Sequence, residues 1–107
     1  MKVTLLKNPS SGNPVANQYE LRGIELFEDF DGLYTARDVR IFQSYNSTVA
    51  VAVWSVGSPR VLIDRGTAFK TRTTTKYLSV FLKVSTQDIK ARLDSGQYTY
   101  ADLNDGE

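Results

Sequence analysis

"IFQSYNSTVAVAVW", residues 41–54, decides how this chain folds. Val49, Val51 and Val53 alternate with Ala50, Ala52 and Trp54, the period of two that belongs to an extended strand. Just before them Val39, Ile41 and Gln43 alternate with Arg40, Phe42 and Ser44, so a strand over 38–45 runs into a strand over 48–54. Asn46 and Ser47 supply the tight reversal between the two, with Tyr45 as its flanking aromatic. Both faces of 48–54 are apolar, which predicts a central strand covered on each side.

Toward the C-terminus "SVGSP" turns the chain and "RVLID", residues 60–64, adds another β-branched run. Strands 38–45, 48–54 and 60–64 then form an antiparallel meander joined by short turns. Toward the N-terminus "KVTLL", residues 2–6, is a short strand stopped by the loop "KNPSSGNP" with its two prolines and a glycine. In "ANQYELRGIELFEDF" Tyr19 and Leu21 alternate with Gln18, Glu20 and Arg22, so this too reads as strand, with Gly23 as a bulge. Beyond Gly23 two readings stand, because Ile24, Leu26 and Phe27 fit a continued strand and a helical turn equally. "DFDG", ending at Gly32, is a turn.

The period changes after the third meander strand. From Thr73 or Thr74, "TTKYLSVFLKV" places Tyr77, Leu78, Phe81 and Leu82 on a helical stripe, and the threonine cluster marks its start. Ser85 with Asp88 three residues on is a capping-box variant, and Ile89, Leu93 and Gly96 complete a second short helix over about 86–95. In the tail Tyr98 and Tyr100 alternate as an edge strand before a fraying end at 104–107. Strands first and helices after imply an α+β fold, an antiparallel meander of four to five strands followed by two short helices and that edge strand.

A chain of 107 residues suits one domain, and 41% hydrophobic with 23% charged residues is the composition of a folded protein. Thirteen Lys and Arg against twelve Asp and Glu leave a net charge of +1, so any electrostatic function is local. The chain has neither histidine nor cysteine. That removes the Ser-His-Asp triad, the thiolate nucleophile, the disulfide framework and the usual zinc ligands. No arrangement of Asp, Glu, Lys, Ser, Thr or Tyr has catalytic spacing, so the reading is a non-enzymatic binding module without cofactor. No apolar run suggests a leader or approaches the ~18 residues of a membrane span, and the expected place is the cytoplasm.

Charge is unevenly placed. Between Arg60 and Arg92 eight basic residues face only Asp64 and Asp88, whereas residues 20–38 carry six acids against Arg22 and Arg37. "RGTAFKTRTTTK", residues 65–76, holds Arg65, Lys70, Arg72 and Lys76 and no acid. A helix opening there brings backbone N–H groups and the Thr73 hydroxyl to the same place, a combination that suits phosphate. The expected polyanion site, for nucleic acid above all, is Arg60, Arg65, Lys70, Arg72, Thr73 and Lys76, with Tyr77 or Trp54 available to stack bases if exposed. Against it stands an ordinary solvated loop neutralised by the acidic half of the chain.

Three further stretches carry a weaker signal. "QSYNS", residues 43–47, puts polar groups at a hairpin end and is first of all a turn. Glu28, Asp29 and Asp31 lie within four residues but lack the calcium-loop pattern, so no metal site is expected. Tyr98 and Tyr100 suit a protein contact, which supports an alternative reading as an interaction module, an inhibitor of a host enzyme or a self-associating homodimer.

"ANQYEL", "FQSYNSTVAVAV" and "TRTTTKYLSVFLKV" together resemble a family of small bacteriophage- and plasmid-encoded proteins. The shared features are Asn17 and Gln18 before a strand, Gln43 to Tyr45 before an apolar strand, and Thr73 to Leu82 as a Thr-Thr segment leading into a helix that ends Phe-Leu. The resemblance spans roughly residues 15–83. It implies a viral or mobile-element origin and carries no activity with it.

Overall fold

The computed structural model describes residues 2–28, 34–54 and 60–104, by backbone alone over 24–28 and 34–37. In chain order the elements are β1 (Lys2–Lys7), β2 (Pro14–Glu28), β3 (Tyr34–Ser44), β4 (Ser47–Trp54), β5 (Arg60–Asp64), α1 (Arg72–Leu82), α2 (Thr86–Asp94) and β6 (Tyr98–Ala101). The six strands form one sheet in sequence order. Neighbours from β1 to β5 pair antiparallel and β6 joins β5 in parallel. Parallel pairing needs a crossover of a dozen residues or more, and the two helices supply it. The α+β arrangement is the one the periodicities predict.

Several local expectations change. Arg22, Gly23 and Ile24 pair in unbroken register with Arg40, Val39 and Asp38, so Gly23 is an ordinary ladder residue and not a bulge. β2 continues as strand through Ile24, Leu26 and Phe27, and β3 begins at Tyr34, because each extends the other's hydrogen-bond ladder. The register does shift between Phe42 and Gln43, which face Ala50 and Thr48 and leave Val49 as the extra residue. Alternation is thereby offset, and Val49 and Ala50 are both fully buried. Asn104 takes the place of a neighbouring strand beside this bulge: its carboxamide accepts from the Thr48 N–H at 2.7 Å and donates to the Thr48 carbonyl at 2.9 Å.

Only one face of the sheet is covered by helices. Phe42, Ala50, Ala52, Val61 and Ile63 meet Tyr77, Leu78 and Phe81 of α1 and Ile89 of α2 in a single cluster. Phe42 and Phe81 stack with centroids 5.8 Å apart. By register, Tyr19, Leu21, Ile41, Val51, Val53 and Leu62 share the opposite face, where each is half-buried, together with Val39, which is 6% exposed. Among the described residues no helix packs there. Alanine and valine on alternate positions satisfy a sheet with one deep and one shallow face equally well.

α1 starts earlier than the threonine run suggests. Thr71, not Thr73 or Thr74, is the cap: its hydroxyl accepts from the Thr74 N–H at 3.1 Å, and Thr74 is itself buried. The Ser85 cap on α2 is as expected, accepting from the Asp88 N–H at 3.1 Å, and Gly96 closes the helix with a φ of 82°. Lys83 ends α1 in the left-handed region, φ 60°, turning the chain directly into α2. The β3–β4 reversal lies at Tyr45 and Asn46, one residue before the expected pair, with Ser44 opposite Ser47. Tyr45 has a φ of 54° and its N–H donates to the Asn17 carbonyl at 2.7 Å. The expected turns at 29–32 and 55–59 and the acids Asp29 and Asp31 lie outside the described residues, as do the side chain of Glu28 and the end of the chain at 105–107.

Candidate functional site

The cations of the loop before α1 divide into two groups. Arg65 pairs with Asp102 at 3.6 Å, both exposed, and its N–H donates to the Ala101 carbonyl, so it belongs to the edge where β6 leaves the sheet. Arg60 opens β5 opposite Val53, on the sheet face that the helices leave bare. The structure does not bring these two together with the others.

Lys70, Arg72 and Lys76 do converge. They line a shallow depression of about 420 Å³ with Phe69, Thr71, Thr75 and Thr86. Helical geometry puts Arg72 and Lys76 one turn apart on the same exposed flank. Thr86 reaches the depression because the Lys83 turn folds α2 back along α1, and the same fold carries Lys90 over the Phe69 ring at 5.3 Å. A second hollow of about 530 Å³ continues the depression past Lys76 to Lys83, Ser85 and Thr86. A cationic groove thus follows the seam of the two helices, lined by Lys70, Arg72, Lys76 and Lys83, with Lys90 beside it over Phe69.

Among the described residues none of these five takes part in an ion pair; the salt bridges are Arg22–Asp38, Arg40–Glu20 and Arg65–Asp102. Asp88 lies on α2 roughly 160° around the axis from Lys90 at ~100° per residue, whereas Asp94, one turn on, shares the flank of Lys90 without forming an ion pair with it. Thr73 is exposed on α1 beside this groove but does not line it. The first turn of α1 carries no acid and begins with Arg72, so the positive end of its dipole adds to the side-chain charge.

The aromatic part of the expectation fails. Tyr77 is 4% exposed in the core, and Trp54 packs against the core under the Arg40 guanidinium at 5.3 Å. Tyr77 offers no face for a base, and one face of the half-buried Trp54 is taken by Arg40. Tyr98 is 6% exposed, with its hydroxyl accepting from Arg92 at 2.9 Å, so it holds α2 to the sheet and is not a contact residue. Tyr100, 41% exposed, remains at the surface.

Sequence reasoning leaves out Lys83, Thr86 and Lys90 from the groove. Lys90 and Thr86 lie four apart on the second helix and so on one flank, which is visible in the sequence; that this flank faces Lys76 is not. No group of three or more acids, histidines or cysteines gathers to hold a metal among the described residues. No helix among them is long and apolar enough to cross a membrane. No family model, curated protein or solved structure matches the chain.

Proposed function

We propose that this chain is a non-enzymatic binding module for a polyanion, nucleic acid above all, which it holds by charge in the groove between α1 and α2. The observation that carries the reading is the set of five cations, Lys70, Arg72, Lys76, Lys83 and Lys90, gathered on one seam with no described carboxylate paired to any of them. The flank of α1 from Arg72 to Lys83 runs about 16 Å at ~1.5 Å per residue, room for roughly three phosphates of an extended strand. With Tyr77 and Trp54 turned inward, contacts are to the phosphate backbone, and the expected binding is insensitive to base sequence and steep in salt. The resemblance to phage and plasmid proteins fits an accessory role in the cytoplasm of a carrying cell.

The test is a fluorescence-anisotropy titration with short single- and double-stranded oligonucleotides. Binding at ~50 mM salt should weaken roughly 40-fold for the duplex and roughly 20-fold for the single strand by 200 mM, as expected for about three phosphate contacts. Reversing Lys70, Arg72 and Lys76 to glutamate should abolish it, while Arg60→Ala and Arg65→Ala each leave it within about twofold. Absence of binding to every oligonucleotide at ~50 mM salt, where the electrostatic contribution is largest, sinks the reading.

A further inference from the structure

Lys70 and Thr71 line a second cavity as well as the groove. It is small, about 160 Å³, and lies on the helical side of the sheet where the β3–β4 reversal meets the start of α1. Ser44, Ser47, Thr67, Lys70, Thr71 and Thr74 supply its polar lining, and none of the lining residues is acidic.

The donors and acceptors in this cavity do not balance. The Thr67 hydroxyl donates to Asp64 at 2.7 Å, and the Thr71 oxygen accepts from the Thr74 N–H while its hydroxyl lies 3.0 Å from that of Thr74. Ser44 is 6% exposed and lines the cavity, and its hydroxyl has no hydrogen-bond partner among the described residues. Gln18, opposite Ser44 in the register, is 1% exposed, and neither atom of its carboxamide has a partner. Buried polar atoms such as the two of Gln18 are rarely left this way, since each costs about 1–3 kcal/mol. The free donors at the cavity are the Ser44 and Ser47 hydroxyls and the Lys70 ammonium; Gln18, across the ladder from Ser44, is not part of the lining. Hydroxyls able to donate, one cation and no carboxylate in the lining itself suit a tetrahedral oxyanion, the buried Asp64 behind Thr67 being taken up by the Thr67 hydroxyl and the Leu103 N–H.

We infer that this cavity takes a terminal phosphate, the phosphomonoester at the end of the polyanion held in the adjoining groove. The inference rests on the polyanion reading for the rest of the ligand, while the cavity's chemistry stands by itself. Lys70 joins the two places: it faces the groove on one side and the cavity on the other, so a strand lying along α1 ends with its last phosphate between Lys70 and the Ser44 and Ser47 hydroxyls. Tyr45, held at positive φ and 61% exposed, lies at the cavity rim.

Two measurements test this with the full chain. In anisotropy, a 5′- or 3′-phosphorylated oligonucleotide should bind roughly tenfold tighter than its hydroxyl-ended twin, the scale of one or two hydrogen bonds to a charged group. Ser44→Ala with Ser47→Ala should erase that ratio and leave hydroxyl-ended binding unchanged. In the second, inorganic phosphate is titrated against the amide NMR signals. Saturable shifts at Ser44, Ser47 and Lys70 that vanish in the double variant support the cavity, and because the spectrum also reports folding, a misfolded variant is recognised and replaced by Ser47→Val alone. Equal binding of the two oligonucleotides, or no phosphate shift at these amides, overturns the inference. Loss of hydroxyl-ended binding with phosphate shifts intact overturns the groove and keeps the cavity.

Discussion

The two faces of the sheet are built from the same strands and behave differently. On one, Phe42, Ala50, Ala52 and Ile63 are fully buried beneath α1 and α2. On the other, Ile41, Val51 and Leu62 are half-buried, and Val3 and Leu5 are 57% and 40% exposed. Neighbours in sequence therefore contribute unequally to stability, and burial, not hydrophobicity, sets the difference. Apolar surface stabilises in proportion to the area removed from water, and a cavity is left only where the surroundings are closed.

Three adjacent pairs put that contrast to the test in chemical denaturation. The largest effect is expected at 41 and 42: Phe42→Ala should cost about 3–5 kcal/mol, since it opens a void against Phe81, while Ile41→Ala costs about 1 kcal/mol. Equal losses would mean that the bare face is covered after all. Leu6, 9% exposed, and Leu5 repeat the comparison on the edge strand. Leu6→Ala should cost about 2–3 kcal/mol and Leu5→Ala less than about 1 kcal/mol.

Positions 18 and 19 sharpen the comparison by reversing its sign. Replacing the unpartnered Gln18 with methionine should raise stability by about 1–3 kcal/mol, because a buried carboxamide loses its desolvation cost, while Tyr19→Phe on the bare face changes it by less than ~0.5 kcal/mol. The same Gln18→Met variant should weaken the phosphate shifts at Ser44, which ties the orphaned group to the cavity. A further small effect belongs to Tyr45, in the reversal between β3 and β4. Tyr45→Gly should stabilise by less than about 1 kcal/mol, since glycine enters positive φ freely, at some entropic cost. A loss of several kcal/mol would show that the tyrosine ring is a packing element.

Much of the fold was legible because it is written in short-range patterns. The alternation around Val49 to Trp54, the stripe of Tyr77, Leu78 and Phe81, and the Ser85 cap each involve residues within a few positions of one another. The bulge was not legible: a one-residue offset at Val49 depends on how β3 and β4 register and on the Asn104 carboxamide, 56 residues from Thr48. The candidate groove was half legible. Lys70, Arg72 and Lys76 stand together in the chain and in space, but Arg65 is drawn off by Asp102, and Lys83 and Lys90 arrive by the turn into α2. Tyr77 and Tyr98 look alike as candidates for contact and both prove to be core.

By itself the sequence determined the class and order of the elements, because hydrophobic period and capping chemistry act over one or two turns of chain. Only the tertiary structure decided which sheet face the helices cover, which cations stay unpaired and which hydroxyls close around a cavity. Those outcomes depend on distances between residues remote in the chain, and burial and charge pairing act through distance, not through sequence separation.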